Sequence, residues 1–394
     1  MAGRRSEFAI SCVRVSPPAR LQLTRIQALS AYRPRRRAFH AQIIGLRGEV
    51  SLPGPPIPIR PRRATAANLA NELARRVVGQ PHAMEQIVPY VQMHRAGLAP
   101  EGRPAGVFLL LGPTGTGKTR TVEALAEVLH GSEKSLLKVD CGEFQMEHEV
   151  AKLIGAPPGY LGHRETQPML TQQKVNSVAS ESCNLSLLLF DEIEKAASSM
   201  TRLLLGVLDK AVLRLGDNST VNFERSLIFL TSNLGAEAMR KELAPNFGFE
   251  AMVAEDRKAS AGKIHSIGMG AVRRKFSPEF VNRIDAVIAY QPLERSSLEA
   301  ILHQQIQALE RHIGDRLEDR AFELEIGDDA FAWLLRKGTS CEYGARELKR
   351  TILRSLTQPI AAMVESGRIP PESLVRVEVA GDRESLDLVV EEPE

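Results

Sequence analysis

An α/β fold, a five-stranded parallel sheet flanked by helices and followed by a small α+β domain, is what this sequence predicts, and three observations carry it. Five short apolar runs recur, each bounded by turn residues. Stretches of helical period lie between them, which implies parallel strands joined by covering helices. A glycine-rich loop joins the first run to a helix. The 394 residues, 43% apolar and 25% charged, leave room for two or three domains with cores of their own.

Taken in order, residues 1–63 come first as an Arg/Pro-rich extension without helical or strand periodicity ("YRPRRRAFH", "SLPGPPIPIRPRR"), expected to be disordered. Its thirteen arginines stand against only Glu7 and Glu49, so this stretch carries +11 of a net +3 and the remainder carries −8. Three uses fit such a tail: an organellar leader, an arm for nucleic acid or an acidic partner, or a start assigned too far upstream. A larger domain is expected over 64–292. "NLANELARRVVGQPHAMEQIVPYVQMHRAG" has helical spacing broken at Gly79, and "GVFLLLG" (106–112) is the continuous apolar run of a strand buried on both faces. Similar runs follow at 135–140, 185–191, 226–233 and 286–290, with Val122, Leu125, Ala126 and Leu129 on one face of an intervening helix. A small domain is expected over 293–394. It opens with a helix carrying Leu298, Leu302, Ile306, Leu309 and Ile313 in a stripe and Ser296 with Glu299 as a capping box. The strand "FELEI", helices around Trp333 and over 345–365, and the strands "LVRVEV" and "LDLVV" complete it.

Composition also excludes classes. Aromatics at 5% disfavour a base-stacking surface, so nucleic acid is disfavoured as a partner. Four scattered cysteines without a C-x-x-C pair argue against zinc and a disulfide framework and for a reducing compartment. No apolar run approaches the ~18 residues of a membrane span. A cytoplasmic location is expected, an organellar one if the tail is a leader.

"GPTGTGKT" fits the phosphate-loop pattern G-x-x-x-x-G-K-[ST] in the right context, between a buried strand and a helix. Gly112, Pro113, Thr114, Gly115, Thr116 and Gly117 supply a backbone that closes around phosphates; Lys118 reaches the β and γ phosphates of ATP, and Thr119 holds Mg²⁺. Further on, "LLLFDEIEK" ends a strand in Asp191, a carboxylate for the metal shell, and Glu192, a base for the attacking water. Asn233 of "TSN" ends the next strand at the same sheet edge, where its amide orients the water or the γ-phosphate.

With these residues in place, the chain resembles the Clp-type AAA+ unfoldases, most closely the second ATPase module of ClpA, ClpB and ClpC. The resemblance runs from about Arg76 to about Val390 on "RVVGQ", "GPTGTGKT", "LIGAPPGYLG", "LLFDEIEKA", "TSNLG", "FSPEFVNRID" and "YGARELKR", in the family's order. It implies adenine contacts at Val77 and Val78, an arginine finger at Arg283, a second sensor at Arg346, and Tyr160 with Leu161 as the pore loop that grips polypeptide. A finger acting on a neighbour's nucleotide implies a homohexamer. The implied activity is ATP hydrolysis coupled to unfolding or remodelling of unfolded or misfolded polypeptide; a nucleic-acid-remodelling ATPase is the alternative. Relatives that feed a ClpP-type peptidase carry a docking tripeptide on a loop, and Phe247, Gly248, Phe249 or Ile267, Gly268, Met269 stand in that interval. The sequence departs from the family in three places: it holds a single ATPase module, it lacks a coiled-coil insertion, and the segment after Gly162 lacks the glycine-rich "EEGG" continuation.

Overall fold

The computed structural model describes residues 66–155, 168–243, 254–339 and 344–391. The Arg-rich stretch 1–63 lies outside them. Helices α1 (Ala66–Arg76) and α2 (Pro81–Arg95) lead into β1 (Gly106–Leu111) and α3 (Lys118–His130). There follow β2 (Leu137–Asp140), α4 (Val150–Ile154), α5 (Gln172–Ser177), β3 (Ser186–Asp191), α6 (Ser198–Lys210), β4 (Val212–Arg214) and β5 (Thr220–Asn222). Then come β6 (Ser226–Ser232), α7 (Ala236–Leu243), α8 (Ala254–Lys275), α9 (Pro278–Val281) and β7 (Ala286–Ala289).

The five expected strands form one parallel sheet in the order β2-β3-β6-β1-β7. Their continuous apolar character has a simple cause. Successive side chains of a strand point to opposite faces, and helices cover both. Val107, Leu109 and Leu111 of β1 join one core cluster, with Leu188 and Phe190 of β3 and Ile228 and Leu230 of β6. Phe108 and Leu110 join the other, with Leu187, Leu189, Leu227 and Phe229. Phe108 and Phe229 are partners in the β1–β6 register and stack at 5.1 Å. Helix α3 covers the second face with Val122, Leu125, Ala126 and Leu129, as its spacing predicts.

The strand order places the C-terminal ends of β1, β3 and β6 side by side. Leu111 pairs with Ser232, and Phe190 with Leu230, so the phosphate loop, Asp191 and Asn233 emerge at one edge. Ligands of open parallel sheets bind at this edge because the strand order changes direction there.

Several elements escape the sequence reading, the β4–β5 hairpin and helix α8 among them. The β4–β5 hairpin has only three residues per strand, with Asn218 at φ 68° between them. Helix α8 spans 22 residues yet holds Gly262, Gly268 and Gly270, which weaken a helical signal. Gly268 is needed there for packing, since a Cβ would sit 2.8 Å from the Met239 Cε and 3.1 Å from a Leu111 methyl.

A second sheet and helical set follow. Helix α10 (Arg295–Leu317), β8 (Glu323–Ile326), α11 (Asp328–Gly338), α12 (Ala345–Ile352), α13 (Gln358–Glu365), β9 (Leu374–Val379) and β10 (Leu386–Glu391) pack around a third core cluster. Leu298, Leu302, Ile306 and Ile313 are buried in it with Trp333, Leu348 and Val375. The sheet order is β10-β9-β8, with β8 parallel and β10 antiparallel to β9.

Two local expectations are corrected. Helix α10 starts at Arg295 with Glu294 in the N-cap position, so Ser296 lies inside the first turn and caps nothing; Glu299 pairs with Arg295 at 3.1 Å. The single helix expected over 345–365 is interrupted by a π turn at Leu353–Thr357, just ahead of Pro359, which has no N–H to offer the preceding turn. Among the described residues, no helix is long and apolar enough to cross a membrane.

Candidate functional site

The loop between β1 and α3 is shaped by its glycines. Gly112, Gly115 and Gly117 hold φ of 147°, 76° and 101°, a region other residues rarely adopt. At Gly112 a Cβ would meet the Tyr290 carbonyl at 2.7 Å, so the chain passes directly over the end of β7. Gly117 is the N-cap of α3, and no side chain caps that end. The first amides of a 13-residue helix are therefore available to an anion. The Tyr290 hydroxyl, fully buried beneath, donates to Thr121 Oγ1 at 2.8 Å and ties α3 to β7.

Lys118 is 8% exposed. Its ammonium donates to the carbonyls of Gly112 (2.7 Å) and Pro113 (2.9 Å) and to Asn233 Oδ1 (2.9 Å). Burial draws its pKa down to about 8; the Arg346 charge acts in the same direction, while Glu194, Asp191 and Glu192 oppose it.

The acidic side comes from β3 and β6. The Thr231 hydroxyl donates to Asp191 Oδ1 and accepts from the Glu192 amide at 3.0 Å, while Lys138 pairs with Asp191 Oδ2 at 3.0 Å. Burial acts to raise the Asp191 carboxyl, but the Thr231 and Lys138 contacts outweigh it and hold the group below the usual carboxylate range. Glu192 has φ 56° and ψ 49°, a left-handed conformation unusual for a non-glycine residue, which turns its side chain out of the strand line. Its carboxylate pairs with Lys195 at 2.5 Å and accepts from Asn233 Nδ2 at 3.3 Å. Asn233 thereby links the lysine of the loop to the acid of β3.

A cavity of about 350 Å³ collects these groups: Val77, Val78, Thr114 to Thr119, Asp191, Glu192 and Asn233, with Ile301 and Arg346 closing it from α10 and α12. Gly112 and Pro113 do not line it. Pro113 lines a larger cavity of about 1120 Å³ with Trp333 and Arg336, which shares Thr114 and Thr116 with the smaller one and contains none of the charged groups just described. Lys118, Asp191, Glu192 and Asn233 all line the smaller one. Gly344 presses against the loop from α12: its φ is 51°, a Cβ there would lie 3.0 Å from the Gly115 carbonyl, and the Ala345 amide donates to that carbonyl at 3.3 Å.

Arg283 does not reach this cavity. It donates to the Glu279 carbonyl at 2.8 Å and pairs with Glu279 at 3.0 Å and Asp209 at 3.4 Å. Tyr160 and Leu161 lie outside the described residues, as do Phe247, Gly248 and Phe249. Ile267, Gly268 and Met269 fall in the middle of α8, not on a loop, with Gly268 buried against β1 and α7.

Sequence reasoning missed Thr231, Lys138, Lys195 and Gln80. Gln80 is 0% exposed; it donates to Thr116 O (3.2 Å) and Gln291 O (2.7 Å) and accepts from the Gln291 amide (3.2 Å). It thus ties "RVVGQ" to the phosphate loop and to the exit of β7. Thr231 was legible as the residue two before Asn233, but only the β3–β6 pairing reveals its partners.

A phosphate loop and an acid pair at one edge of this sheet, closed by a small helical domain, define an AAA-type nucleotide-binding module. Residues 103–287 match the family described as AAA domain (Cdc48 subfamily), and residues 293–377 match the C-terminal, D2-small domain of ClpB protein. The chain belongs to the ClpB family. It is 35% identical over 324 residues to the probable chaperone protein ClpB 1 of Chlorobaculum tepidum, covering 82% of this chain and 70% of that relative. It is 39% identical over 321 residues to the chaperone protein ClpB of Brucella suis, covering 82% of this chain and 34% of that protein. The chain thus spans about a third of the length of the first curated relatives it matches. Among solved structures it is similar to Hsp104 with ATPγS and FITC casein (28% identity, TM-score 0.68, covering 82% of this chain and 51% of that one). The S. cerevisiae Hsp104:casein complex in its extended conformation is similar at the same identity and TM-score, covering 83% and 52%.

Proposed function

We propose that this chain is the ATPase module of a protein-unfolding or remodelling chaperone. The observation that carries the reading is the convergence of Lys118, Asp191, Glu192, Asn233 and Arg346 on one cavity beneath an uncapped helix end. The residues fit Mg-ATP: the loop backbone and Lys118 hold the phosphates, Val77 and Val78 face the base, and Thr119 with Asp191 are the oxygen donors for Mg²⁺. The ion, when bound, neutralises phosphate charge. Glu192 accepts the proton of the water that attacks the γ-phosphorus, Asn233 orients that water, and Arg346 reads the nucleotide from the small domain. ADP and phosphate leave.

Arg283, held by Glu279 and Asp209 away from its own cavity, serves a neighbour's nucleotide, which makes the working form a homohexamer. Tyr160 and Leu161 grip unfolded or misfolded polypeptide in the central pore, in line with the casein complexes of the Hsp104 structures. A cytoplasmic setting suits this activity. Docking to a ClpP-type peptidase rests on Phe247–Phe249 alone, since Ile267–Met269 are built into α8.

The experiment combines three variants in the full chain. Lys118→Ala is expected to lose binding of a fluorescent nucleotide, Glu192→Gln to bind but not hydrolyse and to form a nucleotide-dependent hexamer by light scattering, and Tyr160→Ala to hydrolyse without unfolding a folded reporter. Hydrolysis by Glu192→Gln at the wild-type rate, or a protein that stays monomeric with saturating nucleotide, refutes the reading. Stimulation of hydrolysis by DNA or RNA and not by casein assigns the module to nucleic-acid remodelling instead.

A further inference from the structure

The acid following Glu192 by two residues, Glu194, has no role in the assignments above, yet its position is fixed as firmly as theirs. The turn Ile193–Lys195 is anchored by Ile193, which is 0% exposed in the main core cluster, and closed by hydrogen bonds from Lys195 N to Glu192 O (2.9 Å) and Ala196 N to Ile193 O (3.2 Å). This aims the Glu194 carboxylate at the end of β6. There the sheet runs out. The β3–β6 ladder stops at Phe190 and Leu230, and the β1–β6 ladder at Leu111 and Ser232, so the Asn233 amide has no strand partner. Glu194 Oε1 accepts that N–H at 2.9 Å. Its other oxygen, Oε2, is buried and makes no hydrogen bond among the described residues, so the Asn233 amide is the contact that holds this carboxylate in place.

We infer that Glu194 is a positioning residue for hydrolysis: by pinning the Asn233 backbone it sets the one side-chain orientation in which Asn233 joins Lys118 (2.9 Å) and Glu192 (3.3 Å). The alternative for an unpinned Asn233 is a swivel about the strand end, which separates the two contacts. The inference rests on the hydrolytic reading of the same site and adds to it the group that holds its sensor in place.

The test compares wild type with Glu194→Gln, Glu194→Ala, Asn233→Ala and the Glu194→Ala/Asn233→Ala double variant in the full chain. Steady-state hydrolysis, affinity for a fluorescent ADP, and hydrogen–deuterium exchange of the peptide containing Asn233 are measured, with Glu192→Gln alongside. A group displaced by about 1 Å from its working geometry lowers turnover by up to about a hundredfold. Glu194→Ala is expected to show that fall in kcat, with KM and ADP affinity changed by less than about twofold, and faster exchange at Asn233. Glu194→Gln, which keeps an oxygen for the amide, is expected to recover most of kcat and the slow exchange. In the Asn233→Ala background, Glu194→Ala should cost nothing further, because the two act through one contact. Unchanged kcat and unchanged exchange in Glu194→Ala, or an equal loss in both backgrounds, overturns the inference. Full hydrolysis by Glu192→Gln refutes the hydrolytic reading instead, and the exchange data then decide the Glu194 contact by themselves.

Discussion

Lys118 gives the sharpest physical test of the site, because its cost to the fold depends on pH in a known direction. Unfolded, it keeps its proton up to its ordinary 10.5; folded, burial lets the proton go at about 8. Between those values the unfolded chain binds more protons than the folded one, so stability rises with pH across the window. The cost is present in full below about pH 8 and gone above 10.5. At about 1.4 kcal/mol per pH unit the whole effect amounts to about 3 kcal/mol, of which about 2 to 3 kcal/mol falls between about pH 7 and pH 10. The side chain is almost fully buried, so solvent screening takes little from this figure. Lys118→Met removes the titrating group and leaves the rest, and taking the difference from wild type cancels every other ionisation. Urea unfolding of both proteins, free of nucleotide and divalent cations, measures it. Wild type should gain about 2 to 3 kcal/mol on Lys118→Met across that range. A difference that stays flat would mean that the ammonium is solvated and that the close contacts to Gly112, Pro113 and Asn233 do not persist in solution.

Gly344→Ala places a Cβ 3.0 Å from the Gly115 carbonyl at φ 51°, a strain of about 1 to 3 kcal/mol, and it should weaken nucleotide affinity about tenfold through the displaced loop, as read by fluorescent-ADP titration. Gln80→Leu leaves the buried Thr116 O and the partly buried backbone N–H and C=O of Gln291 without this partner; a loss of about 1 to 3 kcal/mol is expected by thermal unfolding, together with weaker nucleotide binding. Thr231→Val is nearly isosteric but orphans the Glu192 amide and strips a donor from Asp191, so stability should fall by about 1 to 3 kcal/mol and the Mg²⁺ concentration needed for half-maximal hydrolysis should rise.

Much of the fold was legible because its signals are local. The run "GVFLLL" reads as a doubly covered strand since its two residue sets feed two cores, and the stripe from Leu298 to Ile313 reads as a helix face since every member but Leu309 is buried. What failed has equally local causes. The β4–β5 hairpin is too short to show alternation. The glycines of α8 argue against a helix until Met239 and Leu111 are seen to need the space. The capping box at Ser296 is a pattern match that the actual helix start, one residue earlier, leaves without a cap to make. In the site, Lys118, Asp191, Glu192 and Asn233 are recognisable by motif, whereas Thr231, Lys138, Gln80 and Glu194 acquire meaning only from neighbours far along the chain.

Which backbones can close on phosphate and which side chains carry charge is written in the residues themselves, since a glycine's freedom and a carboxylate's acidity belong to single residues. How those groups act on one another follows from the packing of elements far apart in the chain. The strand order sets Asp191 beside Thr231 and Glu194 under the Asn233 amide, and the packing of α12 sets Gly344 against the phosphate loop. Electrostatic and hydrogen-bond energies depend on distance and on exclusion of water, and both are set by which strands pair and which helices cover them.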